Sequence, residues 1–106
     1  MPTTEDPRLT SEPARRRPLF PLGQLVATPG ALSACEEARA DPLFYLRRHI
    51  RGDWGDLGAE DKAANDTALT TGARILSAYT LTTDERLWII TEADRAYTTL
   101  LTPIEY

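Results

Sequence analysis

Glu92, Asp94 and Arg95 fall within four consecutive residues near the end of this chain. A guanidinium stabilises anionic oxygens and a neighbouring carboxylate can move protons, so the trio could serve acid–base or phosphate chemistry. The same composition also makes an ordinary solvated turn between two apolar strands. His49 is the lone histidine, and histidine titrates near neutrality. With Arg48 and Arg51 beside it, it could form a basic patch that takes a phosphate, or only the charged end of a helix, where the dipole favours positive charge. Asp53, Asp56, Glu60 and Asp61 could gather a hard divalent cation. Their spacing is not that of a helix-loop-helix Ca²⁺ loop, so no metal and no other cofactor is expected. Trp54 stands between two Gly-Asp pairs; it either plugs the core from a loop or offers an exposed anchor to a partner, flanked by Asp53 and Asp56. Cys35 is the sole cysteine, which rules out an internal disulfide and a thiolate metal cage within one chain. Among alanines on a helical stretch it reads as a packed thiol, and nothing in the spacing assembles it with His49 into a catalytic pair.

The elements that must position these groups can be read from local signals. Leu25, Val26 and Ala27 suit a short strand, followed by Thr28 as a helix N-cap and Pro29 at the first helical position, with a helix to about Ala38. Asp41-Pro42 repeats the device and opens a second helix through LFYLRRHIR that ends at Gly52. On it Leu43, Leu46 and Ile50 share a face, while Arg47, Arg48 and Arg51 turn outward. GDWGD favours turns. A third helix fits residues 59 to 71, with Glu60 and Asp61 in its first turn and Gly72 as its C-cap. From Arg74 the period changes to two. RILSAYTL and RLWIIT flank the hairpin turn TTDE, and YTTLLT follows the turn EADRA. Leu87 and Ile89 oppose Trp88 and Ile90, so the second of these strands is apolar on both faces and belongs inside the sheet. The expected fold is α+β: an N-terminal short strand and two or three helices packed on a C-terminal antiparallel sheet of three to four strands.

At 106 residues there is room for one domain with one core, and 42% hydrophobic residues are enough to build it. Residues 1–18 contain four of the eight prolines and few sizeable apolar groups, so they read as a disordered tail before a domain at 19–106. The role of the Arg15–Arg17 run in that tail is open, between a solvated leader and a contact for nucleic acid or an acidic partner. The net charge of −4 divides into +1 for residues 1–18 and −5 for the rest. An acidic domain is repelled by phosphate, so nucleic acid is not an expected partner. No run approaches the ~18 apolar residues of a membrane span, and no signal-peptide pattern is present, so a soluble, cytoplasmic protein with no membrane partner is expected. Glycine-rich phosphate loops, nucleophile elbows, metalloprotease helices and zinc spacings are absent.

LGQLVATPGAL, HIRGDWGDL, EDKAAND, RILSAYTL and LWIITEADR followed by TTLLTPIEY, in this order, resemble a family of small bacterial proteins encoded on plasmids and integrated mobile elements. Its members are commonly labelled plasmid-related protein, uncharacterised, or type I restriction endonuclease subunit M. The resemblance covers residues 20 to 106 and brings no established catalytic residues with it. A methylation subunit would need a longer chain, a glycine-containing S-adenosylmethionine pocket and an Asn-Pro-Pro-aromatic motif; this chain has none of them, so neither methyltransferase nor restriction activity is expected. Two functions compete. One is a non-catalytic protein-interaction module acting on a host or element-encoded protein, such as a component of a defence system, with Trp54, Asp53 and Asp56 at the contact. The other is a small ribonuclease or toxin whose helices-then-sheet layout resembles barnase- and RelE-like nucleases. There Arg95, His49 and Glu92 or Asp94 would act on RNA, helped by Thr99 and Tyr106. A homodimer through an uncovered sheet face is compatible with either.

Overall fold

The structure is a computed structural model that describes residues 17–106. All of the expected tail except Arg17 and Pro18, and with it Arg15 and Arg16, lies outside the described residues. Strand β1 is Gln24–Ala27, followed by helices α1 (Pro29–Glu37), α2 (Pro42–Ile50) and α3 (Ala59–Thr71). Strands β2 (Ile75–Thr80), β3 (Arg86–Thr91) and β4 (Tyr97–Leu101) come next, and a single 3-10 turn spans Pro103–Glu105.

The local signals act as their chemistry requires. The Thr28 hydroxyl accepts from the Ala31 amide and the Asp41 carboxylate from the Leu43 amide, each just ahead of a proline that has no amide hydrogen to leave unpaired. Gly72 ends α3 in the left-handed region, at φ +82°, where a β-carbon is costly.

The C-terminal strands form the expected antiparallel meander, β2 to β3 to β4. β1 adds a fourth strand on the far side of β4 and runs parallel to it, giving the order β1-β4-β3-β2. Such a parallel pair needs a long crossover, here three helices and a hairpin. Strand β3 is interior, as its two apolar faces require.

Residues in register across a sheet share a face. The rows Leu25–Thr98–Thr91–Ile75 and Ala27–Leu100–Ile89–Ser77 look toward α1 and α2. On that inner side Ala31, Ala34, Cys35 and Leu46 pack against Leu87 and Ile89. The rows Val26–Thr99–Ile90–Leu76 and Leu101–Trp88–Ala78 form the outer face. Phe20, Trp54 and Ala68 make a second cluster around Ile75, at the end of the sheet where α3 lies.

The inward face of α2 differs from the expected one. Leu46 is buried, but Leu43 and Phe44 are about half exposed, and His49 takes the inward position one turn after Leu46. The sheet beneath offers hydroxyls at that point, so an imidazole fits where a leucine would leave them unpaired. Arg47 and Arg51 are exposed as expected; Arg48 folds back, with its guanidinium carbon 4.7 Å from the Tyr79 ring centroid.

Candidate functional site

The residues read as chemical from the sequence separate into three places. His49 is fully buried, with 0% exposure. Its Nδ1 lies 2.6 Å from the Ser77 hydroxyl and its Nε2 2.9 Å from that of Thr91. Thr91 is 2.7 Å from the Thr98 hydroxyl, which donates to the Leu22 carbonyl at 2.8 Å. That last bond orients the chain. Because Thr98 gives its only proton to Leu22, Thr91 must donate to Thr98, Nε2–H must donate to Thr91, and Nδ1 is left to accept from Ser77. The imidazole is thus neutral with its proton on Nε2. Burial pushes its pKa down to about 3, and the Arg95 charge adds to the effect. The expectation of a solvated basic patch at His49 is corrected: the ring lies beneath the sheet with both nitrogens occupied, out of reach of any phosphate.

The 92–95 turn also differs from a catalytic arrangement. Glu92, Asp94 and Tyr97 line a shallow depression of about 270 Å³. The Asp94 carboxylate accepts from the Ala96 amide and shapes the bend. The Arg95 guanidinium donates to the carbonyls of Ala68, Ala73 and Glu92 and lies 5.7 Å from the Phe20 ring centroid. It ties the end of α3 to the β3–β4 connection and is not among the walls of the depression. Arg95 holds φ +59° there, a left-handed value common at the last position of such turns.

Trp54, Asp53 and Asp56 serve the β2 edge. Trp54 is only 4% exposed, stacks beside Phe20 and donates through Nε1 to Asp66 at 3.0 Å. The reading of Trp54 as an exposed anchor is therefore corrected to a core plug, the first of the two alternatives its glycine-flanked position leaves open. Asp53 forms a two-pronged pair with Arg48, at 2.7 and 3.2 Å, and that pairing holds its carboxyl below the usual range. The outward amide of Ala78 donates to the Trp54 carbonyl, its carbonyl accepts from the Asp56 amide, and the Thr80 amide donates to the Asp56 carboxylate. Gly55, at φ +79°, permits this approach, since a β-carbon there would overlap the Ala78 carbonyl. One turn of strand earlier, Asn65 from α3 receives the Leu76 amide and donates to the Leu76 carbonyl.

The sequence reading allows for an uncovered sheet face but does not name the residues of this outer one. Val26 and Tyr97 are 41% and 44% exposed on it, and Trp88 is half-buried at its centre. The 3-10 turn brings Tyr106 over β3, its ring 5.4 Å from that of Trp88 and 5.7 Å from the Arg74 guanidinium carbon. Between α3 and this face runs a groove of about 340 Å³, walled by Leu57, Ala64, Leu76 and Trp88 and bearing Asp61 and Arg74 as opposite charges. The signal is present: one aromatic, Trp88, on the interior strand, with further aromatics at Tyr97 and Tyr106. It shows only once the parallel strand reveals that α1 and α2 both lie on one side.

Among the described residues no group of histidine, cysteine or carboxylate side chains has the proximity to hold a metal ion, and no helix is long and apolar enough to cross a membrane. No protein-family model, no curated protein and no solved structure matches the chain, so the chemistry of its surfaces alone carries a functional reading.

Proposed function

We propose that this domain is a non-catalytic protein-interaction module that docks through the outer face of its sheet, acting on a host or element-encoded protein as its resemblance to plasmid-related proteins implies. One observation carries this reading. The histidine and arginine that could do chemistry spend their hydrogen bonds inside the domain, while the outer face presents Trp88 in the wall of a groove with one charge of each sign, Tyr106 against Trp88, and Tyr97 exposed beside the separate 92–94 depression. Half-exposed aromatics beside a groove are typical anchors at protein interfaces, and the Asp61–Arg74 pair would orient a polar group of the partner. The ribonuclease reading lacks such support, because Glu92 and Asp94 face solvent while His49 lies beneath the sheet.

The test is partner capture from the native host with the full chain and a Tyr97→Arg/Tyr106→Glu variant. Tyr106 is 65% exposed and Tyr97 44%, so both changes leave the core intact. The expected result is a stoichiometric protein that the variant loses at unchanged melting temperature. Retention by the variant would remove the outer face from consideration, and RNA cleavage by the unmutated protein would overturn the non-catalytic reading.

A further inference from the structure

The two edges of the sheet are finished differently. In β1 the Gln24 amide donates to the Ala96 carbonyl and the Thr28 amide to the Leu100 carbonyl. In a parallel pair alternate residues turn both backbone groups to the same neighbour, so Leu25 and Ala27 turn theirs outward. No described residue receives those groups. Natural sheets blunt such an edge by keeping it short or with charge, proline, a bulge or a covering loop; β1, Gln-Leu-Val-Ala, is short, but among the described residues it carries none of the other devices, and Leu25 and Val26 are 48% and 41% exposed.

We propose that β1 is a dimerisation edge: it pairs antiparallel with β1 of a second copy, giving one continuous sheet of eight strands. With the two-fold axis at Val26, Leu25 of each copy faces Ala27 of the other. The pair exchanges four hydrogen bonds, and the two Val26 side chains meet as a close non-hydrogen-bonded pair. Two features select a second copy over another occupant. The outward groups are self-complementary about that axis, as a two-fold interface requires. The chain is acidic, so its copies repel each other, yet Pro18 to Cys35 contains no charged residue, so the strand itself brings no like charges together. The axis stands perpendicular to the sheet, so both outer faces lie on the same side and form a doubled platform. This inference goes beyond the docking reading and stands or falls separately from it, because self-association is measured without any partner.

The experiment is light scattering after size exclusion on the full chain, with Val26→Lys, Val26→Asp and their equimolar mixture. The unmutated chain is expected at twice its 11.8 kDa mass and each variant alone at 11.8 kDa, with unchanged circular dichroism. The mixture is expected to return to the double mass as unlike charges meet across the axis. A monomeric unmutated chain at ~100 μM, where even weak specific pairs populate, would overturn the proposal, as would a Val26→Lys variant that stays dimeric. A readout free of mutation is amide exchange. The Leu25 and Ala27 amides are expected to exchange at least tenfold slower in concentrated than in dilute protein, and equal rates would sink the pairing.

Discussion

The β2 edge and the β1 edge belong to the same sheet, yet among the described residues one is closed and the other open. At β2, the amides of Leu76, Ala78 and Thr80 and the carbonyls of Leu76 and Ala78 meet Asn65, the Trp54–Asp56 loop and the Asp56 carboxylate. At β1 the corresponding outward groups of Leu25 and Ala27 have no described protein partner. Closing an edge with single side chains takes an amide that can give and receive together, a glycine that lets a loop lie flat, and a large residue that holds the loop in place. Asn65, Gly55 and Trp54 fill those roles. The contrast teaches that the oddest stretch of the sequence, Gly-Asp-Trp-Gly-Asp, is a cover for backbone.

The largest break in that contrast is Trp54→Ala. It removes a buried indole that pins the loop, and large-to-small changes of this kind cost about 3–5 kcal/mol. The melting temperature should fall by ~15 °C or more for a domain of this size. A partner lost with no change in melting would restore Trp54 as a contact residue. Next is Asn65→Ala, which strips the amide and carbonyl of Leu76 of their partners at an expected cost of about 2 kcal/mol. Urea unfolding should show it as a lowered midpoint with unchanged slope.

Acid sharpens the comparison from the other side, because the His49 chain reaches the Leu22 carbonyl just before β1. The folded pKa of His49, about 3, lies below the ordinary 6.5. As pH drops below 6.5 the unfolded chain takes a proton that the folded one refuses, so stability is lost at up to about 1.4 kcal/mol per pH unit until the folded pKa is reached. Above 6.5 this group contributes no slope. Paired carboxylates such as Asp53, whose pKa is lowered, add their own loss only below the carboxylate range near 4. Stability measured at pH 7 and pH 5 should differ by roughly 2 kcal/mol, and a His49→Gln variant, which cannot titrate, should show no such difference. The smallest effect belongs to Leu25→Pro. The outward Leu25 amide bonds to no described group, so proline there should shift monomer stability by under ~0.5 kcal/mol. A drop beyond 1 kcal/mol would mean that the open edge is not open.

The legibility of this fold follows the range of the forces. Thr28-Pro29, Asp41-Pro42, the acidic first turn of α3 and Gly72 act on neighbours three or four residues away, and each boundary they imply agrees with the structure. The three-stranded meander was readable because its turns are short and its period is two. The parallel docking of β1 was not, because no local pattern specifies a strand across a whole chain. His49 is hard to place for a related reason. Charged neighbours on both sides suggest a wet helix end, whereas its spacing of three from Leu46 sets it on the buried stripe over Ser77 and Thr91. The candidate site was least legible, since an exposed sheet face is defined by which side the helices choose.

The Glu105 carboxylate accepts from the Thr28 hydroxyl, the Gly30 amide, and the Thr102 amide and hydroxyl, which lowers its pKa to about 2. Thr28 and Glu105 are 77 residues apart, and β1 spans a similar separation to reach β4. Contacts of such high order close late, after the loop entropy between them has been overcome. The helix that the sequence starts most plainly, at Thr28-Pro29, therefore docks among the last elements to settle. Refolding should show the β2–β3–β4 amides protected before those of α1, with β1 the final strand to join.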